Sequence, residues 1–434
     1  MLNLSEGLLR EAKTYPALCP QDVIKYVYQY TFGGGHLVKD AASSFLHLRG
    51  EYTAAKADGR RHMPSTPEPL GNGLCRWPIL FEPEDARGKS DRQLAEQAYL
   101  SALNRAFVWG SAHWQSRETE AEQTERKTSA DAFREGMNEA YALLRAHAGD
   151  GVFPFTEEEL RSAFEANYPA LGDTVCGFSA GGSSAAAGAG APYYALVSHS
   201  SAFRKAYAPC YRLLPENAAR YLHALKLIEE KLLAQGFAIV AIDGLCGSGK
   251  TSFAAFLQEV YGCGVIHMDD FFLPVALRTA ERRAEPGGNV HYERFMEEVV
   301  KPLLQKKEIW QRSDHPGEAA ETLKYRRFDC RSMDFQEEKL ETPLTRVLVI
   351  EGSYSMRPEF CPLYDLKLFL CCSRAEQKAR IIRRNGEVHY QDFQNLWIPL
   401  ENAYFDGLAV EARADLAVRT DAEVGPGLFS MREN

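Results

Sequence analysis

Apolar positions recur at helical spacing through the first half of the chain and in short unbroken runs through the second. Residues 20 to 31, "PQDVIKYVYQYT", carry Val23, Val27 and Tyr30 on one stripe with Ile24 and Tyr28 beside it, a spacing that gives a helix one apolar face. A second stripe passes through Leu94, Ala98, Leu103 and Phe107, and Thr156 with Glu159 forms a capping box ahead of "LRSAFEANY". Between 115 and 132 charged and small polar residues predominate, which predicts a solvated helix face or a loop. Residues 177 to 192, "GFSAGGSSAAAGAGAP", suit a flexible loop within this region. From Pro215 to about Gln235 the positions Ala219, Leu222, Leu225, Ile228 and Leu232 return to helical spacing, and Gly236 is a natural stop.

Beyond that helix the pattern changes. "FAIVAI" (237–242), "GVIHM" (264–268), "RVLVIE" (346–351) and "DLKLFLC" (365–371) are apolar runs bounded by turns or charges, and "ADLAV" (414–418) is a weaker fifth. Such strands separated by helical segments predict an α/β fold, a parallel sheet with helices on both faces. At 434 residues the chain exceeds what one core usually serves. Two domains are expected, a mainly helical one over 1–214 and an α/β one over 215–434.

Composition narrows the partners. A formal net charge of -9 argues against a general nucleic-acid or anionic-membrane binder, and no apolar run approaches the roughly 18 residues of a membrane span. The start, "MLNLSEGLLREAK", lacks the features of a signal peptide, so a cytoplasmic protein without membrane or nucleic-acid partners is expected, with a homo-oligomer left open. The ten cysteines include no C-x-x-C pair and read as reduced thiols.

The strongest chemical signal is "FAIVAIDGLCGSGKTSFAAFLQEV". Gly244, Gly249, Lys250 and Thr251 satisfy G-x-x-x-x-G-K-[ST] between a buried strand and an amphipathic helix. Glycines there let backbone N–H groups turn inward around phosphate oxygens, and the helix N-terminus adds a favourable dipole. The stretch Gly244, Leu245, Cys246, Gly247, Ser248, Gly249, Lys250, Thr251 and Ser252 is therefore the expected nucleotide cradle of a P-loop NTPase-type sheet. Lys250 is expected to reach the terminal phosphates and Thr251 to hold Mg²⁺, with ATP as the nucleotide. Glu351, closing the apolar run "RVLVIE", is a second candidate metal carboxylate. No N-K-x-D guanine-reading motif and no L-S-G-G-Q signature occurs, which leaves a small-molecule kinase as the best reading.

A kinase needs a carboxylate to take or orient the proton of the acceptor hydroxyl. In "VIHMDDFFLP" Asp269 falls nineteen residues beyond Lys250, at the carboxyl end of the next expected strand. Neighbours on a strand point to opposite faces, so Asp269 is expected to meet the acceptor, with Asp270 and the two phenylalanines, Phe271 among them, shaping turn and pocket wall.

The set "GLCGSGKTS", "HMDDFFLP", "EPGGNVHYERF" and "VLVIEGSYS" resembles the uridine kinase and phosphoribulokinase group of P-loop kinases over roughly 216 to 420. That group also contains pantothenate and nicotinamide riboside kinases. The resemblance implies that Asp269 acts on the acceptor hydroxyl and that His291 and Tyr292 contact the acceptor. It implies a lid over the phosphates carrying Arg380, Arg383 and Arg384 in "SRAEQKARIIRRNG". It also implies an acceptor-side stretch, "LKYRRFDC", with Tyr325, Arg327 and Asp329. A uridine- or cytidine-type acceptor is expected; "DDFF" is nearer the nicotinamide riboside kinase form, so that acceptor, pantothenate and others stay open.

Residues 1–214 resemble a region that accompanies such kinase domains, without a known activity. Its "TFGGGHLV", "LGNGLCRW" and "VSHSSAFRKAYAPCYR" segments read most simply as turns with core or surface side chains. The other reading is an anion pocket near His36, His199, Arg204, Tyr207, Tyr211 and Arg212. Two rival classes accompany the kinase, an ATP-gated regulatory module and a bifunctional enzyme with a second activity in the first domain.

Overall fold

The computed structural model describes residues 2–33, 40–58, 67–80, 89–125, 129–167, 198–313, 321–329, 332–422 and 429–430. The chain divides into two compact units, Met1–Asp85 with Leu103–Ala219 and Ala86–Ala102 with Arg220–Asn434. The loop expected at 177–192 and His36 lie outside the described residues. Among the described residues no helix is long and apolar enough to cross a membrane.

In the first unit the helices Leu4–Thr14, Pro20–Phe32, Ser129–Ala146 and Glu157–Asn167 close over Leu8, Val23, Ile24, Val27, Phe133 and Leu160. Pro20 stands in the first turn of its helix, where a missing N–H costs nothing, and Gly33 at φ 63° ends it. Thr156 and Glu159 exchange backbone-to-side-chain hydrogen bonds of 2.7 and 3.2 Å, a closed capping box. Residues 115 to 125 continue the helix Lys89–Glu125.

Strands were not expected here, yet β1 (Glu68–Gly71), β2 (Leu74–Pro78) and β3 (Tyr211–Pro215) form an antiparallel sheet in the order β1-β2-β3. The "LGNGLCRW" segment is its hairpin, turned by Asn72 and Gly73 at φ 52° and 75°. Pro215 ends β3. The helix after it is broken at Tyr221 into Glu216–Arg220 and Leu222–Gln235.

In the second unit β4 (Ala238–Gly244), β5 (Gly264–His267), β8 (Val347–Glu351), β9 (Leu366–Cys371) and β10 (Leu416–Arg419) form a five-stranded parallel sheet with helices around it. A short antiparallel β11 (Phe429–Ser430) extends its edge, giving the order β11-β10-β9-β4-β8-β5. Each apolar run in the sequence became one of the parallel strands. β4 and β8 are buried along their whole length, as strands covered on both faces must be.

The strands β6 (Glu321–Asp329) and β7 (Asp334–Leu344) make a separate hairpin. Only Leu323, Tyr325 and Phe328 of β6 are buried, against outward charges such as Lys324 and Arg326. Two features of the main sheet position the site. β4 lies between β8 and β9, and the register sets both Ile242 and His267 beside Glu351. The carboxyl ends of three neighbouring strands therefore meet at one edge, where ligands of open parallel sheets bind.

Candidate active site

β4 leaves the sheet at Gly244, whose φ is 138° and whose imagined Cβ would lie 2.0 Å from the Leu370 carbonyl oxygen. Only glycine can make that turn so close to β9. Gly247 and Gly249 continue it at φ 73° and 96°, and the helix Lys250–Tyr261 starts at once. The Lys250 ammonium folds back to donate to the carbonyls of Gly244 and Leu245 at 2.7 and 3.0 Å. The ammonium is thus held against the loop it serves.

Several groups brace the loop from outside. Asp243, fully buried, accepts from the N–H groups of Gly244 and Met356 and from the Tyr404 hydroxyl. Burial raises its carboxyl to about 6, against the pull of those donors and of Lys250. Arg380, in the helix Arg374–Asn385, spends its guanidinium on the carbonyls of Gly247 and Ser248, on Thr420 and on Glu376. Glu401 accepts from the Cys246 N–H at 2.9 Å and from the Ser353 hydroxyl at 2.6 Å.

A cleft of about 390 Å³ opens above the loop, of the size small ligands occupy. Cys246, Gly247, Gly249, Lys250, Thr251 and Ser252 line it together with Asp269 and Glu351. The Thr251 hydroxyl lies 3.2 Å from Glu351, and Glu351 in turn lies 2.5 Å from His267 Nδ1. That hydrogen bond raises the His267 pKa above its ordinary value, against partial burial. Asp269 is also raised, by the crowding of protein around it and then by the negative charge of Glu351, while Lys250 opposes both. Asp269 is nonetheless exposed to solvent.

These oxygens suit a hard divalent cation. Among the described residues no group of three or more His, Cys, Asp or Glu side chains is arranged to hold an ion alone.

Asp269 and Asp270 sit not on a strand but in a 3₁₀ turn, Met268–Phe271. The tight turn sends them apart. Asp270 is buried, 3.1 Å from Arg327 Nε and 3.4 Å from the Tyr325 hydroxyl, and its carbonyl accepts from Arg294. The same rotation buries Phe271 completely against Phe295 and Tyr325 and puts Phe272 in the cleft wall.

The acceptor-side candidates scatter around this turn. Tyr325 is buried beside Phe271. His291 caps the helix Tyr292–Phe295 and faces Glu293 at 3.2 Å, while Tyr292 is covered by the guanidinium groups of Arg282 and Arg357. Asp329 closes β6 and accepts from Ser332. Arg384 lines the cleft; Arg383, next to it, is exposed and does not. Ser248 is buried beneath the loop. In the first unit His199 and Tyr211 meet within a buried network with Asp22.

Sequence reasoning missed Asn289, Ser353, Tyr354, Phe393, Trp397 and Glu401, all of which line the cleft. Asn289 lies inside the quoted "EPGGNVHYERF" and Ser353 and Tyr354 inside "VLVIEGSYS", but the motifs drew attention to their neighbours; no local pattern marks Glu401 or Trp397.

No family model and no curated protein matches the chain. Among solved structures it is similar to one described as a possible uridine kinase from Bacillus stearothermophilus, at 22% identity over 45% of this chain and 98% of that one, TM-score 0.32. A candidate fructose transport system kinase from Silicibacter sp. TM1040 gives 23% identity over 42% of this chain and 89% of that one, TM-score 0.31.

Proposed function

We propose that the second unit is an ATP-dependent phosphotransferase that moves the γ-phosphate to a hydroxyl of a nucleoside-like small molecule. The observation that supports this is that Asp269 and the glycine-turned phosphate loop line one and the same cleft. A nucleotide switch would need the cradle alone; a carboxylate sharing the cleft with it is what phosphoryl transfer to a hydroxyl requires.

In this reading the N–H groups from Gly247 to Ser252 hold the phosphates, and Lys250 swings from the Gly244 and Leu245 carbonyls to the terminal ones. Thr251 and Glu351 would hold Mg²⁺, which would supply neutralisation of the triphosphate charge. Asp269 takes the proton of the acceptor hydroxyl as its oxygen bonds to the γ-phosphorus. The bond from that phosphorus to the β-bridging oxygen breaks, and ADP leaves with the electron pair. A pKa raised toward working pH suits that role. Arg384, which lines the cleft, meets the transferring phosphate in this reading, whereas Arg380 acts by holding the loop.

The test is ATP consumption against uridine, cytidine, nicotinamide riboside, pantothenate and sugar alcohols, with wild type and Asp269→Asn. The variant should bind Mg-ATP unchanged and lose about 10²- to 10⁴-fold in turnover. An unaltered rate in Asp269→Asn would remove the general base and the proposal with it.

A further inference from the structure

Beneath the phosphate loop lies a carboxylate that is not part of the cleft lining. Asp243, the next-to-last residue of β4, is fully buried. Its Oδ1 accepts from the Gly244 N–H at 2.7 Å, and its Oδ2 accepts from the Met356 N–H at 2.9 Å and from the Tyr404 hydroxyl at 2.8 Å. The donors belong to three elements: the phosphate loop, the segment after β8, and the helix Ile398–Gly407. Each of the three also lines the cleft, through Gly247 and Lys250, through Ser353 and Tyr354, and through Glu401. One carboxylate thus ties three parts of the cleft together.

Gly244 is the node through which this reaches the nucleotide. Its N–H is taken by Asp243, while its carbonyl accepts from Lys250 Nζ at 2.7 Å and from the Ser353 hydroxyl at 3.2 Å. Glycine alone would leave that turn free, so the hydrogen bonds on its two sides are what set it. The helix Ile398–Gly407 grips the loop a second time. Glu401, one turn before Tyr404, accepts from the Cys246 N–H at 2.9 Å.

An ionised group is an unfavourable choice for a purely structural brace. Burial raises the Asp243 carboxyl to about 6, against its three donors and Lys250. A carboxyl raised in this way stabilises the fold below its unfolded value of about 4, and that contribution is lost as pH rises through the folded value. Near neutral pH the fold therefore carries a buried charge that opposes it. The titratable side chains facing Asp243 are Lys250, Tyr404 from the helix Ile398–Gly407, and Tyr354 and Tyr364 from the segment between β8 and β9. Burial raises all three tyrosines and keeps them neutral, so the charge that Asp243 faces is that of Lys250. We propose that the ionised carboxylate of Asp243 is a positioning group for the nucleotide: by holding Gly244, Met356 and Tyr404 together it presents the phosphate loop and Lys250 to the triphosphate.

This inference rests on the phosphotransferase reading for its nucleotide, so the test uses Mg-ATP before any acceptor. Calorimetry on the full chain measures Mg-ATP binding to wild type, Asp243→Asn, Tyr404→Phe and their combination, with melting temperatures alongside. Asp243→Asn should weaken Mg-ATP about tenfold or more at pH about 8, with a melting temperature there unchanged or raised. Tyr404→Phe leaves both N–H donors on Asp243 and should weaken binding about threefold; the combination should be no weaker than Asp243→Asn alone, because Tyr404 acts through Asp243. Wild-type affinity should fall from pH about 8 to about 5.5 as Asp243 takes up a proton, and should fall less in Asp243→Asn, since titration of the nucleotide is common to both. Wild-type affinity in Asp243→Asn, affinity lost only in step with melting temperature, or equal pH dependence in the two proteins each overturns the positioning role. Should Asp243→Asn not fold, Tyr404→Phe decides: unchanged affinity, or affinity lost only in step with melting temperature, overturns it. Weakened Mg-ATP binding in the variants, without phosphorylation of any hydroxyl by wild type, keeps the positioning role and overturns the kinase. No Mg-ATP binding by wild type overturns both.

Discussion

Glu351 serves two neighbours at once. It lies 2.5 Å from His267 and 3.2 Å from the Thr251 hydroxyl, with its own side chain buried. A protonated His267 is a favoured partner, which is why its pKa is raised. A magnesium ion at Thr251 and Glu351 would have to compete with that imidazolium. As pH rises through the raised His267 value the imidazole becomes neutral and the carboxylate is released to the metal. The Mg²⁺ concentration for half-maximal activity should therefore fall as pH rises from about 6 to 8, and in His267→Asn that dependence should flatten. An unchanged dependence in the variant would show that His267 does not control metal access.

At the level of elements, the loop depends on how closely β4 approaches β9. A methyl group on residue 244 would overlap the Leu370 carbonyl carbon and oxygen, at a φ that side chains avoid. Backbone cannot yield there without moving β9. Gly244→Ala is expected to cost on the order of 3 kcal/mol or more in stability, measured by urea unfolding, and to weaken ATP binding in whatever fraction still folds. A variant of wild-type stability would mean that the loop tolerates a side chain at its first turn.

The same elements show which signals sequence carries. The parallel strands were legible because burial on both faces writes a continuous apolar run, and the phosphate loop because its backbone admits only glycine at certain φ values. The β6–β7 hairpin was not legible, since its burial falls on three residues of β6 and two of β7, scattered among charges, below what periodicity resolves. β3 was hidden because Pro215, a frequent helix opener, here closes a strand. Asp269 could be placed by its distance beyond Lys250 and its strand end. Glu401 could not, because it reaches the cleft from a helix 151 positions beyond Lys250 and its partners are backbone and a serine.

For the molecule as a whole, the first unit carries a test of its own. Asp22 Oδ1 lies 3.1 Å from His199 Nδ1 and accepts from the Ser200 N–H, while His199 Nε2 meets the Tyr211 hydroxyl at 2.8 Å. The network joins the helix Pro20–Phe32 to β3. Burial holds His199 well below its ordinary pKa, opposed by Asp22 and aided by the charges of Lys25 and Arg76. Burial opposes ionisation of Asp22, but hydrogen bonds from His199 and Ser200 outweigh it and hold its pKa down. Both shifts act in the same direction on stability. Below about 6.5 an unfolded histidine takes up a proton that the folded one refuses, and below about 4 an unfolded aspartate does the same. Stability of this unit should fall as pH drops from about 6.5 toward 4. Glu11 complicates the absolute curve: burial raises it, although Arg76 Nη1 lies 2.8 Å from both of its oxygens, a geometry that favours the ionised pair. The difference between wild type and His199→Asn cancels that background. Hydrogen exchange of the amides in Pro20–Phe32 should report a steeper acid loss in wild type than in the variant, and parallel curves would mean that His199 contributes no proton linkage to this fold.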